Sequence, residues 1–174
     1  PVKSQVNPGD IANLLGQRPP EKGESIEHIM EDFNEKIMPG ITHWQSPGFM
    51  AYFPASSSYP SVLAEMITAT LGAQCMIWET SPAAAEMEER MLEWLKKLCG
   101  LPEHFTGVLQ DTASTATLVA LLTAREKYSR FKINQMGMSD WGGMRIYCSE
   151  EAHSSVEKAA KIAGFGAANV AKIS

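Results

Sequence analysis

Cysteine is scarce in this chain of 174 residues: there are three, Cys75, Cys99 and Cys148, odd in number and scattered. That pattern excludes a disulfide framework and fits no zinc-ligand spacing, and it reads as a chain at home in a reducing cytoplasm. An excess of positive charge is lacking too. Lys and Arg number 15 against 20 Asp and Glu, the formal net charge is -5, and no basic stripe forms. Nucleic acid and anionic membrane are poor partners for such a surface. No apolar run approaches a membrane-spanning length, because Glu, Lys or Gly cuts each one. The opening Pro1-Val2-Lys3-Ser4 lacks the basic-then-apolar order of a signal peptide, and the absence of an initiator Met suits a start lying upstream. Internal repeats and low-complexity tracts are absent. What remains is 44% hydrophobic and 20% charged, a globular composition able to build a core.

Residues 1–24 are rich in Pro, Gly and polar groups and predict an extended lead-in with one helical turn around Ile11 to Leu15. Ile26, Ile29, Met30, Phe33 and Ile37 fall at helical spacing from Ser25 onward, and Met38-Pro39-Gly40 stops that helix. Trp44 to Tyr59 is aromatic, Ser-rich and broken by Pro47 and Pro54, which predicts a buried loop. A helix from Pro60 to about Leu71 follows, ended by Gly72. Ser81-Pro82 starts the best-signalled helix and Gly100 closes it; Met87, Met91, Leu92, Leu95 and Leu98 form its expected buried face, with Lys96 and Lys97 toward water. Beyond Phe105 the rhythm changes. A strand at 107–110, a helix at 114–128, a strand at 145–148, a helix at 154–163 and a strand at 169–173 alternate as in an α/β fold with a parallel sheet. A first segment of residues 1–57 and the first part of a larger domain at 58–174 are expected.

Ligands of open α/β sheets bind beyond the carboxyl ends of strands, at helix N-termini. Two turns qualify. In Gln110-Asp111-Thr112-Ala113-Ser114-Thr115, small residues let backbone amides approach an anion and hydroxyls add donors. The turn lacks the glycines of a dinucleotide fingerprint and the Gly-Lys-Ser/Thr of a P-loop, so a compact phosphate monoester fits better. On mechanics alone the plainer reading, a helix cap at Thr112 or Ser114, stands ahead. The second turn, Ser149 to Ser155, carries His153 at the same sheet edge, where an imidazole could stack on a flat ring or move a proton. A surface His in a capping region is the plainer alternative. No second ligand stands at metal spacing near His153, no metal is expected, and no Gly-x-Ser-x-Gly elbow exists.

Taken together, several motifs in the correct order resemble the group II pyridoxal-phosphate-dependent amino-acid decarboxylases, the family of aromatic-L-amino-acid (DOPA) decarboxylase. They are Gly40-Ile41-Thr42-His43-Trp44-Gln45-Ser46-Pro47, Ala51-Tyr52-Phe53-Pro54-Ala55, Trp78 with Ser81-Pro82-Ala83, the turn from Gln110 to Thr117, and Ala152-His153-Ser154-Ser155-Val156-Glu157-Lys158. The resemblance implies a fold-type I, aspartate-aminotransferase-like enzyme, a homodimer with shared active sites. Its implied activity is decarboxylation of aromatic L-amino acids (DOPA, tyrosine, tryptophan or phenylalanine), with an aromatic aldehyde synthase or a non-catalytic assembly fragment as alternatives. It further implies that Ala113 and Ser114, with Thr112 adjacent, bind the phosphate of pyridoxal 5′-phosphate. His153 would stack on the pyridine ring and serve catalysis. Trp44, Tyr52, Phe53, Pro54 and Ala55 would lie near the amino-acid substrate, and Gln74 and Met76 would reach the neighbouring subunit's site. Ala55 stands where relatives often carry Thr, and Gln74 and Met76 replace more hydrophobic residues of the animal DOPA enzymes. The family's Schiff-base Lys, the Asp paired with the pyridine nitrogen and the mobile loop are expected beyond Ser174, in the remainder of the enzyme, so this chain alone should be inactive.

Overall fold

In the computed structural model, which describes residues 1–174, helices begin at Asp10, Ile26, Tyr59, Pro82 and Ala113, each within a residue or so of the starts expected near Ile11, Ser25, Pro60, Ser81 and Ser114. The chain forms two compact units, Pro1–Ala73 and Gln74–Ser174.

In the first unit, α1 (Asp10–Leu14) and α2 (Ile26–Asp32) come first, and α2 runs on through a wide turn at Phe33–Ile37 and a tight one at Met38–Gly40. Ser25 caps α2 by accepting from the His28 amide. The lead-in is tied down by hydrogen bonds: His43 N–H donates to the Val2 carbonyl at 2.8 Å, and Ser4 Oγ donates to the Pro39 carbonyl at 2.7 Å. Gly40 is needed there, since a Cβ would stand 2.9 Å from the Ile11 side chain. Helix α3 (Tyr59–Leu71) starts from a reciprocal box in which Ser58 and Ser61 bond each other's amides, and ends at Gly72 with φ 56.

The second unit holds α4 (Pro82–Leu98), α5 (Ala113–Ser129), α6 (Lys132–Met136), β1 (Ile146–Ser149), α7 (Ser155–Ile162) and β2 (Val170–Ile173). Strands β1 and β2 pair in parallel, Ile146 opposite Val170 and Ser149 opposite Ile173, with α7 as the crossover. Parallel pairing forces such a crossover, because a tight hairpin can only return antiparallel. The core sits where α7 meets α5. Ala160 and Ala163 are buried with Phe165, and Leu118, Leu121, Leu122, Met144, Ile146 and Val170 pack around them. Small alanines let the two helices approach closely. Gly164 (φ 86) closes α7 where a Cβ would press to 3.2 Å from Met138 Sδ.

Four expectations are corrected. Residues 107–110 form no strand: a strand exists only as a member of a ladder, and no segment of this chain pairs with them. The Leu109 amide instead donates to Glu88 Oε1 at 2.8 Å. The aromatic loop is not buried, with Met50 92% and Phe53 100% exposed. The apolar face of α4 is largely open, Met87 and Leu98 included, because periodicity marks which side is apolar without supplying what covers it. Lys96, expected in water, is buried instead, its Nζ 2.9 Å from Glu93 Oε1 and 3.0 Å from the Glu103 carbonyl. Helix α6 carries no start signal in the sequence; it begins after Arg130 and Phe131, two non-glycine residues at positive φ.

The exposed surface amounts to 14550 Å², against roughly 8,400 Å² for a self-contained chain of this mass. Large apolar side chains are among the exposed ones: α3 alone shows Val62, Leu63, Met66, Ile67 and Leu71 to solvent. No helix is long and apolar enough to cross a membrane.

Candidate functional site

Two helix starts in the second unit carry the chemistry. At the first, Thr112 is the N-cap of α5: its extended backbone turns the chain, and its Oγ1 accepts from the Thr115 amide at 3.2 Å. The Ala116 amide reaches back to the Thr112 carbonyl. The amides of Ala113 and Ser114 are left with no acceptor in the chain, as the first donors of a helix must be. Both residues are exposed, so two parallel N–H groups, the Ser114 hydroxyl and the positive end of a 17-residue helix face outward together. Asp111, also exposed, is the one negative charge in the turn.

At the second start, β1 ends at Ser149, a tight turn follows in which the Ala152 amide donates to the Ser149 carbonyl, and His153 precedes α7. The imidazole Nδ1 stands 3.0 Å from Ser155 Oγ and 3.2 Å from the Ser155 amide nitrogen. Ser155 is buried and the His153 ring is exposed. Further along α7, the hydrogen bond from Lys161 (2.7 Å) holds the Glu157 carboxyl below the usual carboxylate range.

The two starts belong to helices that pack on each other. Arg125 Nη1 bonds the Ala163 carbonyl, so the carboxyl-terminal parts of α5 and α7 meet, and the flanks pack through Leu118, Leu121 and Leu122. From that joint Ala113 lies about 18 Å back along α5 and Ser155 about 12 Å back along α7.

The remaining sequence-selected residues fall in two places. In the first unit, Trp44 stacks on Phe49 (ring centroids 4.7 Å apart) and on Tyr52 (5.6 Å). Tyr52 takes a positive φ of 57°, rare for a bulky residue, and Phe53 is fully exposed beside it. Gln45 Nε2 donates to the Ala55 carbonyl at 2.6 Å, fastening the end of the segment that includes Pro54. In the second unit, the Gln74 carbonyl accepts from Thr80 Oγ1 at 2.6 Å, and Met76 is 76% exposed. Ser155 stands in the motif around His153, but no role for it was legible there beyond its place two residues after the histidine.

Residues 8–173 match the pyridoxal-dependent decarboxylase conserved domain. The chain is 43% identical over 170 residues to tyrosine decarboxylase 2 of Narcissus pseudonarcissus, covering 94% of this chain and 33% of that protein. Among solved structures, Rhodiola rosea 4-hydroxyphenylacetaldehyde synthase superposes with a TM-score of 0.89 at 40% identity, over 99% of this chain and 38% of that one. Catharanthus roseus tryptophan decarboxylase, solved with L-tryptophan, gives 0.90 at 33% identity, over 100% of this chain and 38% of that one. The chain thus spans about a third of the length of the relatives it matches. The shared fold is that of fold-type I enzymes.

Proposed function

This chain belongs to the pyridoxal-dependent decarboxylase family, and we propose that it supplies the cofactor-gripping half-site of an aromatic L-amino-acid decarboxylase. The observation that carries the reading is a pair of helix starts on the packed helices α5 and α7, one with two amides that meet no acceptor in the chain and one with an exposed imidazole; the reading places them together at one site. Pyridoxal 5′-phosphate pairs a dianionic phosphate with a flat cationic ring, and this donor set fits it. Ala113 and Ser114 would bind phosphate oxygens through their amides, and the Ser114 hydroxyl would add a third donor. Thr112 fixes the turn by capping it. The Asp111 charge opposes an anion, so the amides must outweigh it.

When bound, the cofactor acts as an electron sink for the pair left by a broken Cα–carboxylate bond. The chain's own task is orientation and protection. His153 would lie flat against the ring and hold a proton at Nε2. The Trp44–Tyr52 stack, with Phe53, Pro54 and Ala55, would meet a flat substrate side chain and exclude water. Gln74 and Met76 would contribute at a subunit boundary of a homodimer. The large apolar exposure of α3 and α4 supports burial against further protein.

A second reading is an aromatic aldehyde synthase, raised by the likeness to the Rhodiola rosea synthase (40% identity, TM-score 0.89), although identity to the Narcissus pseudonarcissus tyrosine decarboxylase is 43%. Product analysis separates them. The enzyme carrying this chain, given L-tyrosine, L-DOPA, L-tryptophan or L-phenylalanine, should release one amine per carbon dioxide. Aldehyde with ammonia and hydrogen peroxide, at the cost of dioxygen, would identify the synthase. Turnover of none of the four would overturn the aromatic assignment.

A further inference from the structure

We propose that Ser155 is a positioning residue that locks His153 in its Nε2–H tautomer. The geometry is a matter of donors and acceptors. Ser155 presents two groups to one nitrogen: its amide at 3.2 Å and its hydroxyl at 3.0 Å from His153 Nδ1. A backbone amide can only donate, so Nδ1 must offer a lone pair and carry no proton. The hydroxyl, free to rotate, satisfies the same contact only by donating as well. If the proton moves to Nδ1, the amide bond fails and two N–H groups face each other, while the hydroxyl merely turns from donor to acceptor, so the amide sets the tautomer. The neutral ring therefore keeps its proton on Nε2, which has no protein partner in the chain.

Ser155 is suited to this work. It is 9% exposed, at the first position of α7, where an amide has no intrahelical acceptor and is available to a neighbour. The contact is part-buried, and the Ala159–Ala160–Ala163 face of α7 fixes the helix on the core. The exposed edge of the imidazole thus presents an N–H rather than a bare nitrogen. For the site proposed above, this makes neutral His153 a donor toward a bound substrate; the consequence rests on that proposal, and the tautomer does not.

The test is long-range ¹H–¹⁵N correlation on the histidine-labelled full chain at a pH where the ring is neutral. Wild type should show a protonated Nε2 and a bare Nδ1. Ser155→Pro, tolerated at the first position of a helix, removes the amide N–H, and the ratio of Nδ1–H to Nε2–H tautomer should rise about fivefold, the equivalent of one neutral hydrogen bond. Ser155→Ala keeps the amide and should hold the ratio near the wild-type value. A proton on Nδ1 in wild type, or an unchanged ratio in Ser155→Pro, would overturn the inference. Pyridoxine 5′-phosphate, which has the ring and phosphate but no aldehyde, is then added. Its failure to bind alongside the expected tautomers would sink the cofactor reading and leave the role of Ser155 standing.

Discussion

Arg125 Nη1 donates to the Ala163 carbonyl at 2.7 Å, joining two residues thirty-eight positions apart. The same guanidinium grips Glu126 Oε1 through Nε and Nη2 (3.1 and 2.9 Å), while Glu126 Oε2 accepts from the Asn134 amide at 3.1 Å. One side chain thereby ties the end of α7 to α5 and, through Glu126, to α6. Since α7 carries the His153 turn, the joint sets where that turn stands relative to Thr112.

Arg125→Met should cost about 2 kcal/mol, because Ala163 is buried and its carbonyl would lose a charged donor. Urea unfolding should show a lower midpoint with an unchanged slope. An unchanged midpoint would mean that the guanidinium bond adds nothing to the joint.

Ala160 has no exposed surface, and it faces the leucines of α5. Ala160→Leu would have to wedge the helices apart, at about 1–3 kcal/mol. Ala160→Gly should also destabilise, by about 1 kcal/mol, through helix propensity. Thermal unfolding of the two variants checks both, and a stabilised Leu variant would show that the α5–α7 contact is loose.

Thr112→Ala removes the bond to the Thr115 amide and should cost about 1 kcal/mol, while Thr112→Ser should retain most of the stability. Chemical denaturation measures both. Equal loss in the two variants would place the effect in the threonine methyl group and not in the cap.

The hydrogen bond from Lys96 lowers the Glu93 pKa, and the bond to Glu93 raises that of Lys96. A lowered carboxyl pKa stabilises the fold above the ordinary glutamate value, and that contribution disappears as pH falls through the folded value. The raised ammonium pKa acts in the opposite sense: its contribution is whole below the ordinary lysine value and lost as pH rises through the folded one. The gap in thermal midpoint between wild type and Glu93→Gln should be level around neutrality and close toward acid. A gap that persists in acid would show that the pair does not act through ionisation.

Local signals were legible in the sequence, and contacts between distant segments were not. The Ser25 and Thr112 caps, Gly72 and Gly164, and the alternation that gives β1, α7 and β2 depend on neighbouring residues, so they can be read directly. Whether Met87, Leu98 or the Trp44–Tyr59 segment is covered depends on other surfaces, and apolar pattern alone over-predicts burial. The extended run at 107–110 likewise has strand chemistry without a ladder partner. Lys96 goes inside because Glu93 and Glu103 meet it, and the Glu103 contact crosses a turn. At the site, motif order singled out Thr112, Ala113, Ser114 and His153, but the grip of Ser155 on Nδ1 is a matter of ångströms that no spacing discloses.

Calorimetric titration of the full chain with pyridoxine 5′-phosphate tests most directly whether the two helix starts form one site. Wild type should bind, and Ser114→Asp and His153→Ala should each weaken binding about tenfold, the size of a lost charge-assisted hydrogen bond or a lost ring contact. Undiminished affinity in both variants, or no binding by wild type, would contradict the account.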